Sequence, residues 1–378
     1  MIGYLRIKDA KSIYFWSLVT GIVAGLGAVL FSYALAYCEH LVFEHLMGVQ
    51  RSQSAGEIHF DGSGVSSLNR WFVLLIPAIG GLLAGYVTHR FCGEAIGTGT
   101  DAMINAFHNN EGRISGRVPL FKAVATIFTL SSGGSAGKEG PVSQIGAGFG
   151  STLARLLGAG ARARRTMLLV GMAGGLGAIF RAPLGGAITA VETVYTEDIE
   201  SDSLVPAIIS SVTAYLTITM IMGPGTVFRV NDVSLNDYRQ IVIYVLLGLL
   251  CTALGWLFTR TFHRMQDFFV GIRIHPILKP AIGGLAVGMI GLFFPEILGS
   301  GFGPVQEAIS GEMGNLHGSD LSLAWFFLSI AGLKMIATSL TVASGGSGGV
   351  FGPSLFIGGM IGGFVGALSA HLFPMLSI

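Results

Sequence analysis

Apolar runs alternate with short polar breaks along almost the whole chain. They fall at about 12–38, 71–91, 119–131, 141–158, 166–196, 204–223, 241–263, 278–298, 323–343 and 350–374. Some reach the ~20 residues that an α-helix needs to cross a bilayer, and several are shorter. Glycines interrupt many of them. Irregular backbone at membrane depth survives only where protein or a water-filled cavity surrounds it. The pattern predicts an all-α integral membrane protein in which spanning helices mix with broken and tilted ones. Polar loops are expected at 49–69, 108–117, 224–239 and 312–322. The first run is too long for a cleaved signal peptide and reads as a retained helix. The cations of "MIGYLRIKDAK" before it place the N-terminus in the cytoplasm.

A repeat organises these runs. "PAIGGLLAGY" from Pro77 returns as "PAIGGLAVGM" from Pro280, and "IGTGT" from Ile96 returns as "LGSGF" from Leu298. The segment "FKAVATIFTLSSGGSAGKEGPVSQIGAGFG" from Phe121 returns as "LKMIATSLTVASGGSGGVFGPSLFIGGMIG" from Leu333. Lys122 is thereby matched with Lys334, Ser135 with Ser347, Pro141 with Pro353, and Glu139 with Phe351. The expected organisation is one transmembrane domain over 1–378, with repeat one at about 12–223 and repeat two at about 240–378, and no soluble C-terminal domain. Identity alone leaves open whether the copies are parallel or inverted. The first copy runs about forty-five residues past Gly150, to Tyr195, whereas the second runs sixteen past Gly362, to Ile378. The second repeat is therefore expected to be truncated, with a partner supplying the remainder or the chain being short. Low flux and low detergent stability follow from that expectation.

Composition narrows the class. Half of the 378 residues are hydrophobic and 11% are charged, against roughly 25% charged in a soluble domain. The 57 glycines suit close helix packing inside a bilayer. A net charge of +1 offers nothing to nucleic acid. Cys38, Cys92 and Cys251 lie in apolar runs without metal spacing, the nine histidines form no ligand cluster, and no nucleophile–base pattern stands out. No enzyme activity, metal or cofactor is expected.

The chemistry concentrates in short glycine-rich segments. "GGSAGKEGP" at 133–141 departs from a nucleotide-binding loop. Ser132 replaces its first glycine, and Glu139 follows Lys138 where a magnesium-holding hydroxyl is needed. What remains is flexible backbone turning into a helix N-terminus, which attracts anions. Gly97-Thr98-Gly99, Gly299-Ser300-Gly301 and Gly349 to Pro353 have the same character and matching places in the repeat. Four such ends converging on one point would hold a dehydrated anion by N–H groups, without the fixed cation that would keep it from leaving. Glu139 is a carboxylate in an apolar setting, a group able to occupy such a site itself and to leave it when protonated. Lys122, and Lys334 at the matching position, are apolar-flanked cations that either raise the potential of a pore or reach interfacial water. Arg181 and the "ARARR" run at 161–165 read as interfacial anchors, and Glu192 as lying near a helix end.

These motifs resemble those of the CLC family of chloride channels and chloride/proton antiporters, in a prokaryotic, C-terminally short form. Gly137-Lys138-Glu139-Gly140-Pro141 matches the family's G-(K/R)-E-G-P, and Gly349-Val350-Phe351-Gly352-Pro353 matches G-x-F-x-P. Gly97-Thr98-Gly99 corresponds more loosely to G-S-G. The resemblance implies an inverted-repeat fold and a homodimer with one pore per subunit in a prokaryotic plasma membrane. Glu139 would be the gate, and the external anion site would use N–H groups around Lys138, Glu139 and Gly140. The central site would use the Thr98 hydroxyl and the N–H groups of Val350 and Phe351. Lys122 falls on the family's buried lysine. Thr193, after Glu192, stands where many antiporters carry an internal proton-passing glutamate, and threonine does not titrate. The expected function is transmembrane chloride transport, by voltage- or pH-gated conduction or by exchange with protons. The alternatives are a proton-coupled carrier of another small anion, such as fluoride or nitrate, and a non-conducting truncated subunit.

Overall fold

A computed structural model describes residues 10–50, 52, 54–58, 60, 68–230, 238, 240–313 and 319–372. The cation-rich residues before Ala10 lie outside it. The described chain is helical throughout. The first half holds α1 (Ala10–His40), α2 (Arg70–Phe91), α3 (Thr100–His108), α4 (Val118–Ser131), α5 (Glu139–Leu156), α6 (Ala161–Ile179), α7 (Pro183–Glu192) and α8 (Ser201–Met222). The second holds α9 (Gln240–Gly271), α10 (Lys279–Gly291), α11 (Phe302–Ser310), α12 (Asp320–Ala343) and α13 (Phe351–Leu372). Six of the described helices are long and apolar enough to cross a membrane.

Local sequence explains many of the boundaries. Prolines sit in the first turns of α4, α7 and α10, where a missing N–H costs nothing. Asn69 and Ser319 cap α2 and α12 with side-chain oxygens. Two apolar runs break where the hydropathy pattern is continuous. The stretch 166–196 divides into α6 and α7 at Arg181, whose φ of 52° is left-handed, followed by Pro183. The stretch 278–298 ends its helix at Gly291 and adds a 3-10 turn, Pro295–Ile297. The short helices α3 and α11 are too brief and too mixed in polarity to register as runs.

Contacts between the halves are reciprocal. Gly81 of α2 packs on the Pro280 carbonyl, and Gly284 of α10 packs on the Pro77 carbonyl. The Ser135 N–H donates to Thr341 Oγ1 (3.0 Å), while the Ser347 N–H donates to Thr129 Oγ1 (3.2 Å). The hydroxyls of Ser135 and Thr338 lie 3.0 Å apart, and those of Thr126 and Ser347 lie 2.9 Å apart. Residue i touching j′ while j touches i′ is the signature of a two-fold axis. Near that axis Gly137 and Gly349 form an antiparallel bridge, with N–H···O distances of 2.6 and 2.7 Å. The N-termini of α5 and α13 thus meet at one point and their helices run apart, so the copies are inverted.

Packing outside the axis differs between the halves. Gly146 of α5 lies against the Gly171 carbonyl of α6, so close that a Cβ has no room. Gly358 and Gly362, at the matching places on α13, have no neighbour within 4 Å among the described residues. The first helix of each half shows the same contrast: α1 packs on α6 and α8, whereas the most apolar window of α9 is 6% buried.

Candidate functional site

The site is built where α5 and α13 meet. Glu139 opens α5 and is 1% exposed. Its carboxylate folds back over Gly137 and lies against Gly352 in the first turn of α13, a place that any side chain on Gly137 would fill. Neither oxygen meets a hydrogen-bond donor in good geometry among the described residues. A carboxylate with so little compensation, set at two helix N-termini, stands where their unpaired N–H groups and partial positive charge favour an anion.

Three elements hold the Gly97-Thr98-Gly99 turn beside this point. Lys122 Nζ, on α4, donates to the carbonyls of Ala95 (3.1 Å) and Gly97 (2.7 Å). Gln144, on α5, donates to the Glu94 carbonyl (2.6 Å), and the Gly348 N–H donates to the Gly97 carbonyl (3.2 Å). Gly97 and Gly99 take φ of 65° and 84°, which glycine adopts without strain. The turn brings the Thr98 carbonyl against Gly140, where a Cβ would lie 2.9 Å from it. Thr98 itself is half-buried.

Lys122 is fully buried, so it does not reach interfacial water. Lys334 does the same work in the second half, donating to the carbonyls of Ile297 (2.9 Å) and Gly299 (2.8 Å). Both lysines clamp a turn through their ammonium groups.

The remaining sequence candidates divide. Val350 is half-buried and directly precedes α13. Phe351 lends its backbone to the first turn of α13, while its ring is 49% exposed and packs edge-on against Phe180 at 4.6 Å. The Lys138 ammonium pairs with Glu57, at 2.9 Å, rather than with Glu139, and lies 5.1 Å over the Phe302 ring. Glu57 sits in the polar loop after α1, and its isolated position in the sequence carried no signal. Arg181 lines a cavity of about 50 Å³ shared with Lys138, Glu57, Glu39 and His40. Its guanidinium donates to the carbonyls of Gly223, Gly225 and Gly56. In the "ARARR" run Arg162 pairs with Asp202 at the surface, but Arg164 is 8% exposed and bonds the carbonyl and carboxylate of Glu111. Glu192 ends α7 exposed, and the Thr193 hydroxyl is tied to the Thr189 carbonyl at 2.5 Å. Among the described residues no group of three or more His, Cys, Asp or Glu could hold a metal.

Comparison with known proteins agrees with this geometry. The family described as "Voltage gated chloride channel" matches residues 80–378. An uncharacterized protein of Methanocaldococcus jannaschii is 34% identical over 299 residues, which are 78% of this chain and 71% of that protein. The H(+)/Cl(-) exchange transporter ClcA of Cronobacter sakazakii is 29% identical over 98% of this chain and 76% of its own. The crystal structure of a slow cyanobacterial Cl-/H+ antiporter superposes with a TM-score of 0.78 at 20% identity, covering 96% of this chain and 81% of the other. A CLC-type fluoride/proton antiporter follows with a TM-score of 0.76 at 22% identity, covering 97% and 83%. Two inverted halves, joined at the N-termini of α5 and α13 and matched by the family over most of their length, establish that this chain belongs to the voltage-gated chloride channel (CLC) family.

Proposed function

We propose that this chain carries chloride across the membrane through a pore whose constriction lies where α5 and α13 meet, gated by Glu139. The observation that carries the reading is the buried Glu139 carboxylate at two helix N-termini, without a well-placed donor. An anion already occupies the place where the helix ends favour one. Protonation removes its charge, lets it leave, and opens the site to chloride. N–H groups around Lys138, Glu139 and Gly140 form the outer site. The Thr98 hydroxyl and the N–H groups of Val350 and Phe351 form the central one. Lys122 contributes by charge and by holding the Thr98 turn. The work is transport rather than enzyme chemistry and requires no cofactor. The chain acts as one multi-pass domain, with repeats at about 12–223 and from about 240, as a homodimer in a prokaryotic plasma membrane with its N-terminus cytoplasmic.

Exchange with protons is the second reading, supported by the identity to a protein named as an H(+)/Cl(-) exchange transporter. Purified protein in liposomes, tested with chloride, fluoride and nitrate gradients, examines the main reading directly. Chloride flux well above empty liposomes is expected. Fluoride outrunning chloride, or no anion flux at all, would overturn it.

A further inference from the structure

The mouth above Glu139 holds a second carboxylate that the gating scheme does not use. Glu57 Oε1 lies 2.9 Å from Lys138 Nζ, and the two side chains are 11% and 13% exposed. Lys138 immediately precedes Glu139, and its side chain lines, with Glu57, a cavity of about 50 Å³.

The turn that carries Glu57 is held from two sides and braced from within. The Gly56 N–H donates to the Val227 carbonyl (3.1 Å), and a side chain on Gly56 would strike the Val227 backbone. Arg181 donates to the Gly56 carbonyl (3.5 Å). Within the turn the Glu57 N–H donates to the Ser54 carbonyl (3.0 Å), and the Ser54 N–H donates to Glu57 Oε2 (3.3 Å). One carboxylate oxygen is therefore held by the turn's own backbone while the other is presented to the lysine.

We propose that Glu57 is a built-in counter-anion: its carboxylate occupies an anion-binding position on Lys138, and an entering monovalent anion such as chloride must displace it. This rests on the transport reading above and adds a position in series with Glu139. Displacement exchanges one anion on the ammonium for another, so the lysine is never left without a counter-charge. The other charged groups at the cavity are committed elsewhere. Arg181 spends its guanidinium on carbonyls, and the Glu139 carboxylate lies inward on Gly352. Glu39 lines the same cavity. Lys138 is thus the cation of this cavity whose carboxylate partner an anion can replace.

The test uses Glu57→Gln, which keeps the shape and the Ser54 contact but removes the charge, together with Lys138→Met and the double variant. Crystals soaked in bromide should show an anomalous peak in contact with Lys138 Nζ in Glu57→Gln. That peak should be weaker in the parent protein and absent when Lys138→Met is added. Chloride titration by calorimetry should show binding about tenfold tighter in Glu57→Gln, with the gain abolished in the double variant, as for removal of a competing charge from a partly screened pair. No bromide at Lys138 in Glu57→Gln, equal occupancy with and without Glu57, or a gain that survives Lys138→Met would overturn the proposal. A parent protein that passes no anion in liposomes would instead overturn the transport reading, while the bromide experiment still decides the position on Lys138.

Discussion

Glu139 and the residues around it can be tested one side chain at a time. Glu139→Gln mimics the protonated gate. In the parent protein flux should rise as pH falls, because protonation is what removes the carboxylate from the site. In the variant flux should persist and become flat with pH. Liposome flux measured across a pH series checks this, and an unchanged pH profile would remove Glu139 from the gate. Thr98→Val keeps the shape of the turn and deletes the hydroxyl. Losing a hydrogen bond to a charged partner costs roughly 1.5–3 kcal/mol, or about 10–150-fold in chloride affinity by calorimetry. Lys122→Met and Lys334→Met each strip a donor from two buried carbonyls. A buried acceptor left unsatisfied costs roughly 1–3 kcal/mol, so Lys334→Met should melt earlier in detergent. The Gly97 carbonyl keeps the Gly348 N–H and the Ala95 carbonyl keeps the Ser347 hydroxyl, so Lys122→Met should be the milder of the two. A reversed order would show that the lysines matter chiefly for charge.

Among elements, α5 and α13 share a sequence pattern and differ in surroundings. Gly146 faces the Gly171 backbone, and Gly358 faces open space among the described residues. Gly146→Ala should therefore destabilise the protein by about 1–3 kcal/mol, since overpacking against backbone has no cheap relief. Gly358→Ala should be neutral, or stabilising by up to ~1 kcal/mol, because alanine is the better helix former. Thermal unfolding of both variants in the same detergent checks this, and equal losses would mean that Gly358 also has a close neighbour. The repeat was legible at this scale because it preserves identity at residues that pack or bond across the axis, Pro77 and Pro280 and Ser135 and Ser347, and at Lys122 and Lys334, which clamp a turn within each half. The break between α6 and α7 was not legible. Hydropathy is continuous there, and the chain turns on a left-handed Arg181 whose guanidinium is satisfied by loops far away in sequence.

At the scale of the whole molecule, coupling to protons depends on a path from the inner surface to Glu139. Thr193 cannot titrate, and its hydroxyl is already bonded to the Thr189 carbonyl. Glu192 is exposed at the end of α7. Proton movement driven by a chloride gradient should therefore be weak or absent. A pH probe inside sealed liposomes measures it. Robust uphill proton transport would point to a water wire, or to Glu192 as the inner carrier.

Hydropathy, glycine content and the repeat determined by themselves that this is a two-copy, all-helical membrane protein with its chemistry at glycine-rich helix starts. Those properties follow from solvent exclusion and backbone sterics, which act on local sequence. The motifs around Glu139 and Phe351 likewise named the two helix ends that meet. Only the tertiary structure decided that the copies are inverted, because direction shows in the head-to-head meeting of α5 and α13 at Gly137 and Gly349, not in identity. It also decided the partners of the charges. Lys122 and Lys334 bind carbonyls that precede them by more than twenty residues, and Lys138 binds Glu57 across more than one helix. A charge buried in low dielectric must be paired, but which partner pairs it is set by how distant segments are brought together, and no local pattern along the chain records that.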